Sequence, residues 1–194
     1  MRTLLLKEEK RRVRQELKET AAGFSESYIS GVSCAVCDKV LHSSEFRRAS
    51  VIFGYLSFRN EISVDAVIEE ALRLGKIVAV PCIVSRTEMK AVRLEALENL
   101  PTDRYGIRTA PEPVTLVEPD TIDLILVPGT GFSVTGHRMG RGAGFYDRFL
   151  AHARGFRLGI TCDRLLREEI PVDKYDRQVE ALVTETKFFR CTDA

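Results

Sequence analysis

The stretch VIFGYLSFRNEISVDAVIEEALRLGKIVAV, Val51 to Val80, sets the fold class. Val51–Leu56 is a short apolar run rich in β-branched and aromatic residues, and it reads as a strand. Ser63 stands where it can cap a helix that carries Ala66, Val67, Ile68, Ala71 and Leu72 on helical spacing and ends at Gly75. Ile77–Val80 makes a second strand. Strand, helix and strand in so short a passage form a βαβ unit, which predicts a parallel sheet covered by helices.

Towards the N-terminus, residues 4–22 read as a helix of charged helix formers closed by Gly23 as a C′ glycine. Ser25 suits the N-cap of a second helix, whose apolar positions Tyr28 or Ile29, Val32, Val36 and Val40 follow helical spacing. Towards the C-terminus, residues 88–94 form another strand. An irregular segment punctuated by Pro101, Pro111, Pro113 and Pro119 follows, long enough to imply function or a wrapped edge. Ile122–Val127 is continuously apolar apart from Asp123 and reads as a central strand. A helix over 143–153, a strand over 157–162 and a last strand over 181–186 complete the pattern. No repeat, low-complexity tract or linker interrupts it, so one domain over 1–194 is expected.

With 194 residues and 44% hydrophobic content the chain has material for a substantial core. The 29 Lys and Arg against 28 Asp and Glu leave a net charge of +1, which implies no global attraction to nucleic acid or membrane. Apolar runs are strand-sized, and Met1–Leu6 is interrupted at once by Lys7–Lys10, too short for a signal peptide or a membrane span. The five cysteines, at 34, 37, 82, 162 and 191, are odd in number and scattered, as suits a reducing cytoplasm. Cys34 and Cys37 have CxxC spacing without a second pair, so core or half-exposed thiols are expected. His42, His137 and His152 suggest neither a triad nor a metal cluster.

Chemistry concentrates in Val127–Leu150, VPGTGFSVTGHRMGRGAGFYDRFL. Glycine lets backbone amides approach a ligand closely. Arginines grip phosphate oxygens as planar forks, and a helix starting near Ala143 would aim free N–H groups at an anion. The spacing Gly140-Arg141-Gly142-Ala143-Gly144 is neither a P-loop nor a dinucleotide turn. Arg138, Arg141 and Arg148 crowd these glycines beside Asp147, which is either a salt-bridge partner or a magnesium ligand. A tight turn with a solvated basic rim is the competing reading. Elsewhere, Lys10 and Arg14 share one face of the first helix. Glu61, Pro128 and Asp163 each follow a strand, at the end where open α/β sheets collect ligands.

Arg138-Met139-Gly140-Arg141-Gly142-Ala143-Gly144-Phe145-Tyr146-Asp147-Arg148, preceded by Pro128-Gly129 and Phe132, resembles the signature loop of the 5-formyltetrahydrofolate cyclo-ligase family. Further blocks fall in family order: Lys10-Arg11-Arg12-Val13-Arg14, Asn60-Glu61-Ile62, Tyr105-Gly106-Ile107, and Ile170-Pro171 through Asp176. The resemblance implies an α/β, Rossmann-like domain of three layers with a mostly parallel central sheet flanked by helices. It implies ATP contacts by Lys10, Arg11, Arg12, Val13 and Arg14, and by Arg138, Met139, Gly140, Arg141, Gly142, Ala143, Gly144, Phe145 and Tyr146. Folate contacts fall to Leu56, Glu61, Arg141, Gly142, Ala143, Gly144 and Phe145. Asp147 and Asp176 are the implied magnesium ligands, and Arg141, Tyr146 and Asp147 the implied catalytic residues.

The implied reaction is ATP-dependent ring closure of 5-formyltetrahydrofolate to 5,10-methenyltetrahydrofolate with release of ADP and phosphate. The formyl oxygen attacks the γ-phosphorus and N10 then attacks the activated carbon, so no protein nucleophile is needed. A cytoplasmic monomer is expected, with ATP and the folate as partners and neither nucleic acid nor membrane. Two positions depart from the family pattern: Ser133 replaces an Asp after Phe132, and Glu180 replaces an Asp in the last block. Two other readings stay open, a diverged ATP-dependent relative acting on another small molecule and a non-catalytic nucleic-acid-binding member. The absence of an aromatic RNP pattern and of a basic excess weighs against the second.

Overall fold

The computed structural model describes residues 2–103 and 106–191, so Tyr105 lies outside the described residues. In chain order the elements are α1 Arg2–Ala22, α2 Glu26–His42, α3 Ser44–Arg48, β1 Val51–Phe53, α4 Asp65–Arg73, β2 Ile77–Ile83, β3 Met89–Leu94 and β4 Leu116–Val117. There follow β5 Leu124–Pro128, β6 Gly131–Ser133, β7 Arg138–Met139, α5 Phe145–Leu150, β8 Phe156–Ile160, β9 Leu166–Arg167, β10 Ala181–Val183 and β11 Phe188–Arg190. Single 3-10 turns occupy Pro119–Thr121 and Asp163–Leu165.

Among the described residues, eight strands form the main sheet in the order β11-β10-β8-β5-β1-β2-β3-β4. The inner pairs β10·β8, β8·β5, β5·β1 and β1·β2 are parallel, with Val51 opposite Ile77 as the βαβ unit requires. The edges are antiparallel: β3 folds back along β2, β4 along β3, and β11 along β10. Every inner strand is buried on both faces, so its residues alternate between two cores. Ile52, Val78, Leu124, Leu126 and Leu158 face the core closed by Val32, Val36 and Val40 of α2, Phe46 of α3 and Ile68 of α4. Phe53, Ala79, Ile125, Val127 and Leu182 face a second core closed by Phe132 and by Phe149 of α5. This is the layered α/β architecture expected from the sequence.

The expected cap of the second helix is in place. Ser25 caps α2, its hydroxyl accepting from Tyr28 N at 3.1 Å. Asp123, the one charge in the central apolar run, accepts from Ser50 N at 2.7 Å and Val51 N at 2.9 Å and so registers β1 against β5. Other expectations are corrected. The left-handed helix-ending glycine is Gly75 after α4, at φ +72, and not Gly23. There Gly75 N bonds Leu72 O and Lys76 N bonds Ala71 O, both at 2.9 Å, which closes the last turn. The cap of α4 is Val64 without a side-chain bond, because the Ser63 hydroxyl takes Asp65 N at 3.2 Å in a tighter turn.

β1 stops at Phe53, and Gly54 makes the last sheet bond, its N–H donating to Ala79 O at 2.9 Å. The chain then turns away so that Tyr55 Oη, buried, can donate to Ile62 O at 2.7 Å. The helix expected over 143–153 spans only Phe145–Leu150. The sequence reading also missed the small sheet β7-β6-β9 and the closing strand β11. Gly159 makes room for that small sheet, since a Cβ there would come within 2.8 Å of the Phe132 ring.

Candidate active site

A cleft of about 920 Å³ opens at the carboxyl ends of β1 and β5, where the strand order turns back on itself. Its walls draw on distant parts of the chain: Lys10 and Arg14 of α1, Leu56 and Glu61 after β1, Ile83 and Met89 around the β2–β3 turn, Ile107 to Thr109, the 138–148 loop, and Asp173, Tyr175, Asp176 and Arg177. An adjoining smaller cavity of about 460 Å³ shares Tyr55, Glu61, Pro128 and Arg141 with it.

The glycines of the loop have separate tasks. Gly142 and Gly144 adopt φ +106 and +70, conformations that side-chain-bearing residues rarely hold. Gly140 clears space for a guanidinium, because a Cβ there would lie 2.8 Å from Arg138 Nη1. Arg138 is 7% exposed, and its Nη2 donates to Asp147 Oδ1 at 3.0 Å. Arg14 Nε donates to Gly140 O at 2.8 Å, tying α1 to the loop. On the other side Arg148 lies over the Phe145 ring and donates to Thr87 O at 2.6 Å and Ala143 O at 2.9 Å. With α5 only six residues long, its dipole contributes little, and the anion-binding capacity rests on the arginines and loop amides.

Two buried polar atoms in this cleft, Arg138 Nε and Tyr146 Oη, have no hydrogen-bond partner among the described residues. Orphaned groups of this kind at a concave surface point to a ligand or water that completes them. Burial pushes the Tyr146 phenol upward, against a downward pull from Arg138, so it stays protonated and is a donor.

Lys10 Nζ donates to Asp173 Oδ2 at 2.8 Å and to Asp176 Oδ2. Burial alone would lower the Lys10 ammonium, but these two partners outweigh it and hold it above its usual value. The same hydrogen bond from Lys10 holds Asp173 below the ordinary carboxylate range. Asp173 N also donates to Asp176 Oδ2, at 2.7 Å. Asp147 receives Arg177 N at 3.3 Å on Oδ1, so among the described residues the hydrogen bonds of Asp147 fall on Oδ1 and those of Asp176 on Oδ2. Each keeps a second oxygen for a hard cation. That donor set suits a magnesium ion, which takes one or two carboxylates together with phosphate and water. No group of three or more His, Cys, Asp or Glu poised for a metal occurs among the described residues, so an all-protein cage is not formed.

Across the cleft, Glu61 Oε2 accepts from Phe58 N at 2.9 Å and Oε1 accepts from Arg141 Nη2. Arg59, between them, holds a left-handed φ of +54, which turns the chain so that Glu61 can reach back. Arg108 forks onto Asp65 at 2.8 and 3.0 Å and fastens the proline-rich segment to the start of α4.

Residues 6–185 match the model of the 5-formyltetrahydrofolate cyclo-ligase family. The chain belongs to this family. It is 32% identical over 195 residues to a probable 5-formyltetrahydrofolate cyclo-ligase of Caenorhabditis elegans, covering 93% of this chain and 94% of that one. It is 28% identical to the 5-formyltetrahydrofolate cyclo-ligase of Mus musculus over 91% of this chain and 93% of that one. The NMR structure of Aquifex aeolicus 5,10-methenyltetrahydrofolate synthetase superposes with a TM-score of 0.84 at 27% identity, covering 95% of this chain and 94% of that one. A 5,10-methenyltetrahydrofolate synthetase from Mycoplasma pneumoniae shares the fold, with a TM-score of 0.75 at 22% identity over 91% of this chain and 98% of that one.

Most of the site residues read from the family motifs meet in the cleft: Lys10, Arg14, Leu56, Glu61, all of Arg138 to Asp147, and Asp176. Arg11, Arg12 and Val13 do not line it: the two arginines are exposed, and Val13 packs partly buried against the core. The family departures also lie outside it. Ser133 is 1% exposed, its hydroxyl accepting from His137 N at 3.1 Å inside the β6–β7 turn. Glu180 takes Arg157 N at 2.7 Å and joins the starts of β8 and β10.

Of the two thiols expected to be core or half-exposed, only Cys37 is. Cys37 is 5% exposed, and burial pushes it up to about 11, whereas Cys34 is exposed. His42 pairs with Asp38, and neither His137 nor His152 lines the cleft. Sequence reading missed Tyr55, Met89, Arg108, Asp173 and Arg177 as cleft residues. Only the proline-rich segment had a signal, its unusual length.

Proposed function

We propose that this protein converts 5-formyltetrahydrofolate to 5,10-methenyltetrahydrofolate with consumption of ATP and release of ADP and phosphate. The observation that carries this reading is that Lys10, Glu61, the 138–148 loop and Asp176, remote in sequence, line one cleft in a member of this family. Lys10, Arg14, Arg138 and Arg141 bring positive charge to the polyphosphate. Because phosphoryl transfer moves negative charge among phosphate oxygens, cations and loop amides held at the cleft by the fold stabilise it electrostatically.

Glu61 is the acceptor for the N–H and amino group on one edge of the pterin. That contact requires Arg141 to leave Glu61 for the phosphates. Tyr146 Oη is a neutral donor for the formyl oxygen or the phosphate it attacks. Asp147 and Asp176 would hold magnesium, which when bound adds positive charge at the phosphates. Arg11, Arg12 and Val13 support Lys10 and Arg14 by maintaining the helix rather than by touching ATP. We place the enzyme in the cytoplasm, a reading supported by five free cysteines, and take it to act as a monomer. Among the described residues no helix is long and apolar enough to cross a membrane.

The test is the appearance of the methenylfolate chromophore on mixing protein, 5-formyltetrahydrofolate, ATP and magnesium. Absence of the chromophore, or its formation without ATP, overturns the reading.

A further inference from the structure

We propose that Arg177 is an additional polyphosphate-binding residue of the cleft, an inference that rests on the reading of this cleft as an ATP site. Its backbone is fixed from several directions. Arg177 N donates to Asp147 Oδ1 at 3.3 Å, and its neighbour Asp176 is held by Lys10 and by Asp173 N. On the other side, Gln178 Nε2 donates to Thr135 O at 2.9 Å and Val179 N to Gly136 O at 2.9 Å. The residue is therefore pinned against the two carboxylates assigned to the metal.

Its side chain contrasts with this fixed backbone. Arg177 is exposed and lines the cleft, and its guanidinium has no hydrogen bond, ion pair or ring contact with any described residue. Other cleft cations are engaged: Lys10 by Asp173 and Asp176, Arg14 by Gly140 O, Arg108 by Asp65, Arg138 by Asp147, Arg141 by Glu61, and Arg148 by two carbonyls. Each of these must share or leave a partner to meet a phosphate. Arg177 has none to give up, and its planar fork matches two phosphate oxygens at once.

The position beside Asp147 and Asp176 directs it to the β- and γ-phosphates rather than to the nucleoside. Without it, the carboxylates of Asp147, Asp173 and Asp176 outnumber the cations Lys10 and Arg138 and leave this wall of the cleft net negative. A polyanion entering there gains from an uncommitted positive charge.

Calorimetric titration with ATP and with AMP, in magnesium, tests this on wild type, Arg177→Ala, Arg177→Lys and Lys174→Ala. Lys174 sits in the same segment, over the Tyr175 ring, and does not line the cleft. The expected result for Arg177→Ala is ATP affinity weaker by roughly tenfold or more, the scale of a lost hydrogen bond between charged groups. AMP affinity and the Michaelis constant for the folate should be unchanged, Arg177→Lys should recover part of the loss, and Lys174→Ala should bind as wild type. ATP binding by Arg177→Ala within about twofold of wild type overturns the inference and leaves the ATP reading standing. Equal losses in Lys174→Ala and Arg177→Ala overturn it too, as a general charge effect. A wild type that binds no ATP overturns both.

Discussion

Arg14 Nε donates to Gly140 O at 2.8 Å, across 126 residues of sequence, so the first helix directly positions the glycine loop. The bond explains why a basic residue one turn beyond Lys10 matters even before a nucleotide arrives. Gly142 lies close by, a Cβ there falling 3.7 Å from Arg14 Cζ, so the guanidinium runs along the loop. Replacing Arg14 by Lys keeps a charge but loses the planar fork. The expected cost in ATP binding is about 1 kcal/mol or more, with folate binding largely intact. Titration of both ligands by calorimetry checks it, and a loss confined to the folate contradicts the assignment.

Asp147 has two parts to play, as the partner of the nearly buried Arg138 and as a proposed magnesium ligand. Asp147→Asn should lower turnover by roughly 2 to 4 kcal/mol of transition-state stabilisation at saturating ATP and magnesium. It also leaves the Arg138 charge without its carboxylate, so the melting temperature should fall. Measuring both separates the roles: a lower melting temperature with near-normal turnover means that Asp147 only braces Arg138.

Glu61 bonds Phe58 N with one oxygen and Arg141 with the other. In Glu61→Gln the amide can keep one acceptor but offers N–H where a carboxylate oxygen stood. Folate binding should weaken by about 1 to 3 kcal/mol, since a donor then faces a donor. Steady-state kinetics with the folate varied reads this out, and an unchanged Michaelis constant removes Glu61 from the pterin contact.

Ser133 is buried behind the cleft and satisfies His137 N and Thr135 Oγ1 through its hydroxyl. A serine therefore does local backbone work at a position where the family has an aspartate. Ser133→Asp should change turnover by less than about 1.4 kcal/mol, which is tenfold. If the wild type is nearly inactive on 5-formyltetrahydrofolate and this substitution restores activity by orders of magnitude, the chain is a diverged relative with another substrate.

Much of the architecture was legible because it is written in local periodicity. The βαβ passage over Val51–Val80 and the apolar run over Ile122–Val127 are buried on both faces, and continuous hydrophobicity signals that burial. The antiparallel return of β3 had no such mark, since the side-chain pattern of a strand looks the same in either direction. The short strands β6, β7 and β9 carry too few residues to show a period, and β11 is too brief to separate from the tail. Ser63 and Gly23 mislead for one reason: capping residues are also ordinary turn residues, and tertiary packing decides which they become.

The sequence by itself determined the parallel α/β core, the family motifs and the glycine positions at which the 138–148 loop is free of side chains, because burial pattern and residue type are properties of consecutive residues. Only the tertiary structure decided which charges meet. Lys10 with Asp173 and Asp176, Arg138 with Asp147, Arg141 with Glu61, and an Arg177 guanidinium without a partner among the described residues are set by the carboxyl ends of β1 and β5 and by the segments folded over them. Charged side chains pair by distance in space, and no spacing along the chain encodes a separation that the sheet order alone fixes.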